Sequence, residues 1–244
     1  SLTPNSPTNV NATTTLGTAE AVISWDAPSA DGGDDIYQYT VTGSTNNYIA
    51  TTTPFGLSGK IVSEISSNDD KISASAVDLE GRLILVGETH NGSNYDFIVA
   101  RYTANGVLDT SFGTGGTTTT EFGTGDDKAK DIILDSLGRI VVTGESHNGS
   151  DYDFAVARYD TNGNLDSTFS SDGKKTIDFY SNTDVAEAIA LDGEGNIVVG
   201  GYVYDNADAE VGVVKLNPDG TLDNSFSSDG KTSFGFGASK DIAW

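Results

Sequence analysis

Short, nearly continuous apolar runs recur along this chain at regular intervals. Residues 82–87, 139–144 and 196–201 read Arg-Leu-Ile-Leu-Val-Gly, Arg-Ile-Val-Val-Thr-Gly and Asn-Ile-Val-Val-Gly-Gly. Runs of this length, rich in β-branched residues, suit strands covered on both faces. A second set lies at 96–102 and 153–159, a third at 71–78, 129–135 and 186–192, and a fourth at 59–64 and its equivalents. No helical period competes. Between strands, Asp78, Asp135 and Asp192 each stand three residues before Gly81, Gly138 and Gly195. Such an Asp can accept backbone N–H bonds while the Gly takes the positive φ of a short hairpin. Segments 103–106, 160–163 and 217–220, each ending in Gly, predict the next hairpin on the same grounds.

The units are copies of one another. Phe55, Phe112, Phe169 and Phe226 are each 57 residues apart, and Gly59, Gly116, Gly173 and Gly230 keep that spacing. Aligned without gaps, 55–111 and 112–168 agree at 27 of 57 positions. A four-stranded antiparallel meander, repeated and covered on both faces, is what a β-propeller blade requires. The strings 153–159 (Asp-Phe-Ala-Val-Ala-Arg-Tyr), 162–166 (Asn-Gly-Asn-Leu-Asp) and 112–116 (Phe-Gly-Thr-Gly-Gly) resemble the bacterial delta-60 repeat. The resemblance covers residues 55–244 and implies an extracellular propeller.

The first 54 residues differ. Segments 7–13, 21–28 and 31–42 resemble the first half of a fibronectin type III domain, in which Trp25 would be a core residue. Such domains need about 90–100 residues, so 1–54 reads as incomplete. The expected fold class is all-β. It comprises an N-terminal fibronectin III-like β segment (1–54) and a partial β-propeller of four-stranded antiparallel blades with a 57-residue repeat (55–244). Within the latter, 55–66 reads as an orphan outer strand, about 70–236 as three full blades and 238–244 as the start of a fourth. Further blades of the same protein are expected beyond Trp244, with the orphan strand completing the last.

If the 129–135 strand lies nearest the axis, the order outward is 129–135, 139–146, 153–159 and 164–179. The connections then alternate between two rims. One carries the tight Asp-x-x-Gly and Asn-Gly hairpins. The other is expected to carry longer polar loops, and to bind partners as propeller loops do. Its candidate contact residues are His90, Asn91, Asp96, Asp126, Asp127, His147, Asn148, Asp153, Asp184, Asp205 and Asp208.

Composition narrows the function. With 13 Lys+Arg against 36 Asp+Glu the net charge is −23, and a phosphate backbone would be repelled, so no nucleic-acid partner is expected. No apolar run approaches the roughly 18 residues of a membrane span. Cys is absent, which removes disulfides, thiolate catalysis and Cys-ligated zinc. Met is absent too, which reads as a processed or excised piece of something longer. Acidity without Cys leans toward a secreted bacterial protein.

Each candidate chemistry has a plainer rival. His90 and His147 share one repeat offset: a metal pair, or a rim residue copied with the repeat. Asp160, Asn162, Asn164 and Asp166 alternate oxygen donors as calcium loops do, but Gly163 is out of place for an EF-hand and no Glu follows where one is needed. The rival is a capped hairpin. Arg101, Arg158 and Lys215 form an anion site, or ion pairs with Asp109, Asp166 and Asp223. The Asn-x-Ser/Thr matches at 11, 91 and 148 serve turns better than glycans. No nucleophile elbow, phosphate loop or zinc-protease motif occurs.

The expected function is therefore a non-catalytic extracellular or cell-surface adhesion scaffold. Its partners would be proteins or glycans and its cofactor, if any, calcium. Two alternatives stand beside it: the non-catalytic half of an extracellular carbohydrate-active enzyme, and a structural stalk or surface-layer component.

Overall fold

A computed structural model describes residues 8–14, 21–26, 69–205 and 208–235, with side chains described at 69–205 and 209–235. The chain divides into two units, residues 1–61 and 62–244. In the first, β1 (Thr8–Thr14) pairs antiparallel with β2 (Ala21–Asp26). The rest of the fibronectin-like segment, the orphan strand 55–66 and the fourth-blade start 238–244 lie outside the described residues.

The second unit holds three four-stranded antiparallel sheets. The first is β3 (Asp70–Val77), β4 (Leu83–His90), β5 (Tyr95–Tyr102) and β6 (Thr117–Thr120). The second is β7 (Asp127–Leu134), β8 (Ile140–His147), β9 (Tyr152–Tyr159) and β10 (Lys174–Ile177). The third is β11 (Asp184–Leu191), β12 (Ile197–Asp205), β13 (Asp208–Leu216) and β14 (Lys231–Phe234). Strand order follows chain order in each. The fourth strand is narrower than the 164–179 expected. The sheets meet chiefly through their first strands: β7 lies against β3, β4 and β5, and β11 against β7, β8 and β9. These are blades of a partial propeller, with β3, β7 and β11 innermost.

Strand periodicity explains why both faces of the middle blade read as apolar. Ala155, Ala157 and Tyr159 join Ile84, Val86, Phe97, Val99 and Phe112 in one core. The alternate residues Phe154 and Val156 join Ile189, Ile197, Val199, Val203, Val214 and Leu216 in the next. The hairpins form as their sequence predicts. Asp135 Oδ1 accepts the N–H groups of Leu137 and Arg139 at 2.9 Å each, and Gly138 sits at φ 74°. Asp78 and Asp192 repeat the bonds.

One expectation is reversed. The rim assigned the longer loops carries 148–151, joining β8 to β9, and 178–183, joining β10 to β11, whereas the opposite rim carries the tight 135–139 hairpin and also the longest of the blade's connections, 160–173, joining β9 to β10. The reason is that 160–173 is more than a hairpin. After turning at Gly163 it runs on to place Phe169 between blades, where Phe169 closes on Gly220 of the next one. Among the described residues there is no helix long and apolar enough to cross a membrane.

Candidate functional site

On the hairpin rim, the charges are consumed in joining blades. Arg158 is buried, and its Nε donates to Asp166 Oδ2 at 2.9 Å. Its Nη2 donates to Thr168 Oγ1 at 2.8 Å, and its Nη1 to the Pro218 carbonyl of the next blade. The guanidinium carbon lies 5.0 Å from the centre of the Phe169 ring. One repeat earlier, Arg101 does the same with Asp109 (2.8 Å), the Thr161 carbonyl (2.5 Å) and Phe112 (4.6 Å). In the third blade Lys215 pairs with Asp192 at 3.0 Å and Asp223 at 3.3 Å. These are the ion-pair partners the sequence offered, not an anion site.

The calcium set drawn from the 160–166 hairpin does not survive as a cage. Asp160 Oδ1 accepts from the N–H groups of Asn162 and Asn164, and its Oδ2 from Asn164 Nδ2. Asp166 Oδ1 accepts from the N–H and hydroxyl of Thr168, and its Oδ2 from Arg158 and Arg139. Every carboxylate oxygen here accepts a hydrogen bond, as in a capped hairpin, and Asp166 also carries two guanidinium partners.

On the other rim the two histidines cap their own loops. His90 Nδ1 accepts from Gly92 N at 3.1 Å and His147 Nδ1 from Gly149 N at 3.2 Å. Each ring stacks edge-on against Tyr95 or Tyr152, centroids 4.9 Å apart. Asn91 Oδ1 accepts from Ser93 N and Asn94 N, and Asn148 Oδ1 from Ser150 N and Asp151 N. Asp126 Oδ1 accepts from Tyr95 N of the preceding blade at 3.0 Å. Asp205 and Asp208 face each other across the tip of β12 and β13, and the Asp208 side chain lies outside the described residues.

Four of the expected rim residues are not exposed contacts at all. Asp96, Asp127, Asp153 and Asp184 are buried. The Oδ1 atom of each is buried without a hydrogen-bond partner. Their second oxygens are used: Asp184 Oδ2 accepts from Phe179 N at 2.7 Å and Asp127 Oδ2 from Phe122 N at 2.8 Å. Asp96 Oδ2 accepts from Asn91 Nδ2 at 2.8 Å and Asp153 Oδ2 from Asn148 Nδ2 at 3.1 Å. Asp153, Asp184 and the exposed Asp178 come together, one carboxylate oxygen from each lying within 4.8 Å of the others. Burial first, with Asp178 and Asp153 adding like charge, pushes the Asp184 carboxyl up to about 7. Burial likewise raises Asp153, Asp96 and Asp127.

A second charged group lies near the innermost strands and was not singled out by the sequence. Glu145 on β8 is buried, 3.8 Å from both Lys128 and Lys130 of β7. Burial raises its carboxyl, the two lysines oppose that, and Glu187 and Glu88 reinforce it. Tyr202 is pushed up to about 12 by burial, then by Glu145, Glu187 and Tyr204. The signal was a break in the repeat: Glu88, Glu145 and Tyr202 share an offset, as do Ser73, Lys130 and Glu187.

Comparison with known families gives a match along the repeats. A family model described as "Domain of unknown function (DUF5122) beta-propeller" matches residues 81–112, 138–169 and 195–226. Each match runs from the hairpin glycine to the repeated Phe, which at Phe112 and Phe169 closes the joint with the next blade. A search of curated proteins found none that matches.

Proposed function

We propose that this chain serves as a non-catalytic interaction scaffold of a secreted or cell-surface bacterial protein, presenting the His90/His147 rim to a protein or glycan. The resemblance to delta-60 repeats and the fibronectin-like beginning belong to the same reading. The observation that carries it is the fate of the polar side chains. Asp78, Asp135 and Asp192, Arg101 and Arg158, Asn91 and Asn148 recur at the repeat offset, and all are engaged in turns or joints. Repetition of that kind builds a rigid platform, and rigid loops on a scaffold are where binding surfaces arise. The proposal includes further blades. Ile72 is 38% exposed where its equivalents Ala129 and Ala186 are 1% and 0%, and Phe234 is 43% exposed where Ile177 is 4%. These residues lie on the two outward faces of the three-blade stack.

The test is substitution on the rim. Ser93→Arg, Thr124→Arg and Ser150→Arg together are expected to abolish binding to a glycan array or to cells of the parent bacterium. Glu80→Arg, Leu137→Arg and Glu194→Arg on the hairpin rim are expected to leave it intact. Loss of binding only in the second set would reject the choice of face.

A second reading goes beyond the non-catalytic half expected from the sequence and gives this chain itself a part in an extracellular carbohydrate-active site. It draws on Glu145, Lys128, Lys130 and Tyr202 near the innermost strands, of which Lys130 and Tyr202 depart from the repeat while Glu145 and Lys128 have Glu88 and Lys71 one period earlier, since raised carboxyls among cations mark acid–base sites. Under this reading Glu145→Gln removes polysaccharide cleavage while leaving the melting midpoint unchanged within a few degrees.

A further inference from the structure

We propose that Asp153, Asp178 and Asp184 bind a calcium ion at the junction of the second and third blades. The three carboxylates reach the junction from three elements: the start of β9, the 178–183 connection and the start of β11. One oxygen of each lies within 4.8 Å of the others. The second observation is independent of their clustering. Asp184 is fully buried and Asp153 is 7% exposed, and the Oδ1 of each has no donor. With their Oδ2 atoms held by Phe179 N and Asn148 Nδ2, Oδ1 is the oxygen each has left to offer.

A buried acceptor without a donor is costly, and so are neighbouring like charges. One divalent cation removes both costs. The donor set is oxygen only, which suits a hard cation. Calcium–oxygen bonds of about 2.3–2.6 Å place opposite ligands roughly 4.6–5.2 Å apart, a span that matches this group. Asp178 is exposed, which gives water access to complete the shell. The Lys231 charge acts on Asp153 to lower its carboxyl, and the Lys231 Nζ donates to the Asp178 carbonyl. One ammonium against three carboxylates leaves the junction negative. One repeat earlier, Asp96 and Asp127 also keep buried, donorless Oδ1 atoms, with Glu121 in the place of Asp178. Among the described residues only the later trio gathers closely.

The proposal is separate from the identity of any partner. It is tested on the 244-residue chain, freed of metal by a chelator and melted with and without calcium at constant ionic strength. Magnesium controls for screening of the negative surface. Calcium at about a hundredfold its Kd is expected to raise the midpoint by roughly 5–10 °C, and magnesium by less than half as much. The variant Asp153→Asn/Asp184→Asn is expected to lose more than half of the calcium shift. If that variant does not fold, Asp178→Asn, at an exposed position, takes its place, and calorimetric titration of the unaltered chain with calcium reads binding directly. No calcium shift, an equal magnesium shift, more than half of the shift kept in the variant, or no heat of binding would overturn the site.

Discussion

Asp166→Asn is expected to destabilise the propeller unit by about 3–5 kcal/mol at neutral pH, the range found when one partner of a buried ion pair is removed. The carboxylate serves two guanidinium groups at once, Arg158 at 2.9 Å and Arg139 at 3.3 Å. The Arg158 side chain is 2% exposed. It also holds the Pro218 carbonyl of the neighbouring blade. An amide would leave that charge buried and unneutralised, at the point where two blades are fastened. The effect has a defined pH signature. Burial alone would raise the Asp166 carboxyl, but the Thr168 bonds and the Arg158 and Arg139 charges more than offset it, holding it below its ordinary value. A folded pKa below the unfolded one, about 3.9, gives stability that is complete above that pH and lost as pH falls through the folded value. Thermal midpoints of the two proteins should therefore differ widely at pH 7 and converge in acid. A gap that stays constant from pH 7 to pH 3 would show that the carboxylate's charge is not what holds Arg158.

The second large effect is expected from Gly144→Ala. An added Cβ would stand 2.0 Å from the Lys128 carbonyl oxygen and 2.9 Å from Ala129 Cα. The neighbouring atoms are backbone in a buried sheet. They lie beside a register shift between Ala129 and Asp131, a bulge in the β7–β8 pairing. No side chain can swing aside, so β7 and β8 must separate. A cost of about 3 kcal/mol or more is expected, at the upper end for overpacked sites. Gly87 and Gly201 meet Lys71 and Val185 carbonyls at 1.9 and 2.0 Å in the same way. Gly193→Ala is the control: it is exposed, nothing lies within 4 Å of its added Cβ, and a change within about 0.5 kcal/mol is expected. Urea unfolding of both variants measures the contrast. A loss under about 1 kcal/mol in Gly144→Ala would mean the bulge can relax.

Much of this architecture was legible before any coordinates. Apolar runs with β-branched residues located the second strand of every blade and the third strand of the first two, because a strand buried on both faces needs little else, whereas the short polar fourth strands, such as Thr117–Thr120, carry no such run. Asp135 and Gly138 announced their hairpin because a carboxylate acceptor and a positive-φ residue three positions apart form it locally. The glycines at 87, 144 and 201 could be seen to repeat, but not why. Their necessity comes from a carbonyl across the sheet. The 160–166 residues looked like calcium ligands because alternating oxygens are a local pattern. Thr168, Arg158 and Arg139 engage part of that set, and Arg139 reaches it from the hairpin between β7 and β8.

By itself the sequence determined the period, the strand order within a blade and the turn chemistry, since each depends on residues a few positions apart. Only the tertiary structure decided which carboxylates are spent and which are left over. Asp153 and Asp184 look like any other rim acids in the sequence. Whether a buried oxygen has a donor depends on how closely one blade's connecting segment approaches the next, and that approach is set by the packing of Phe154, Phe179 and the shared core, not by any local pattern.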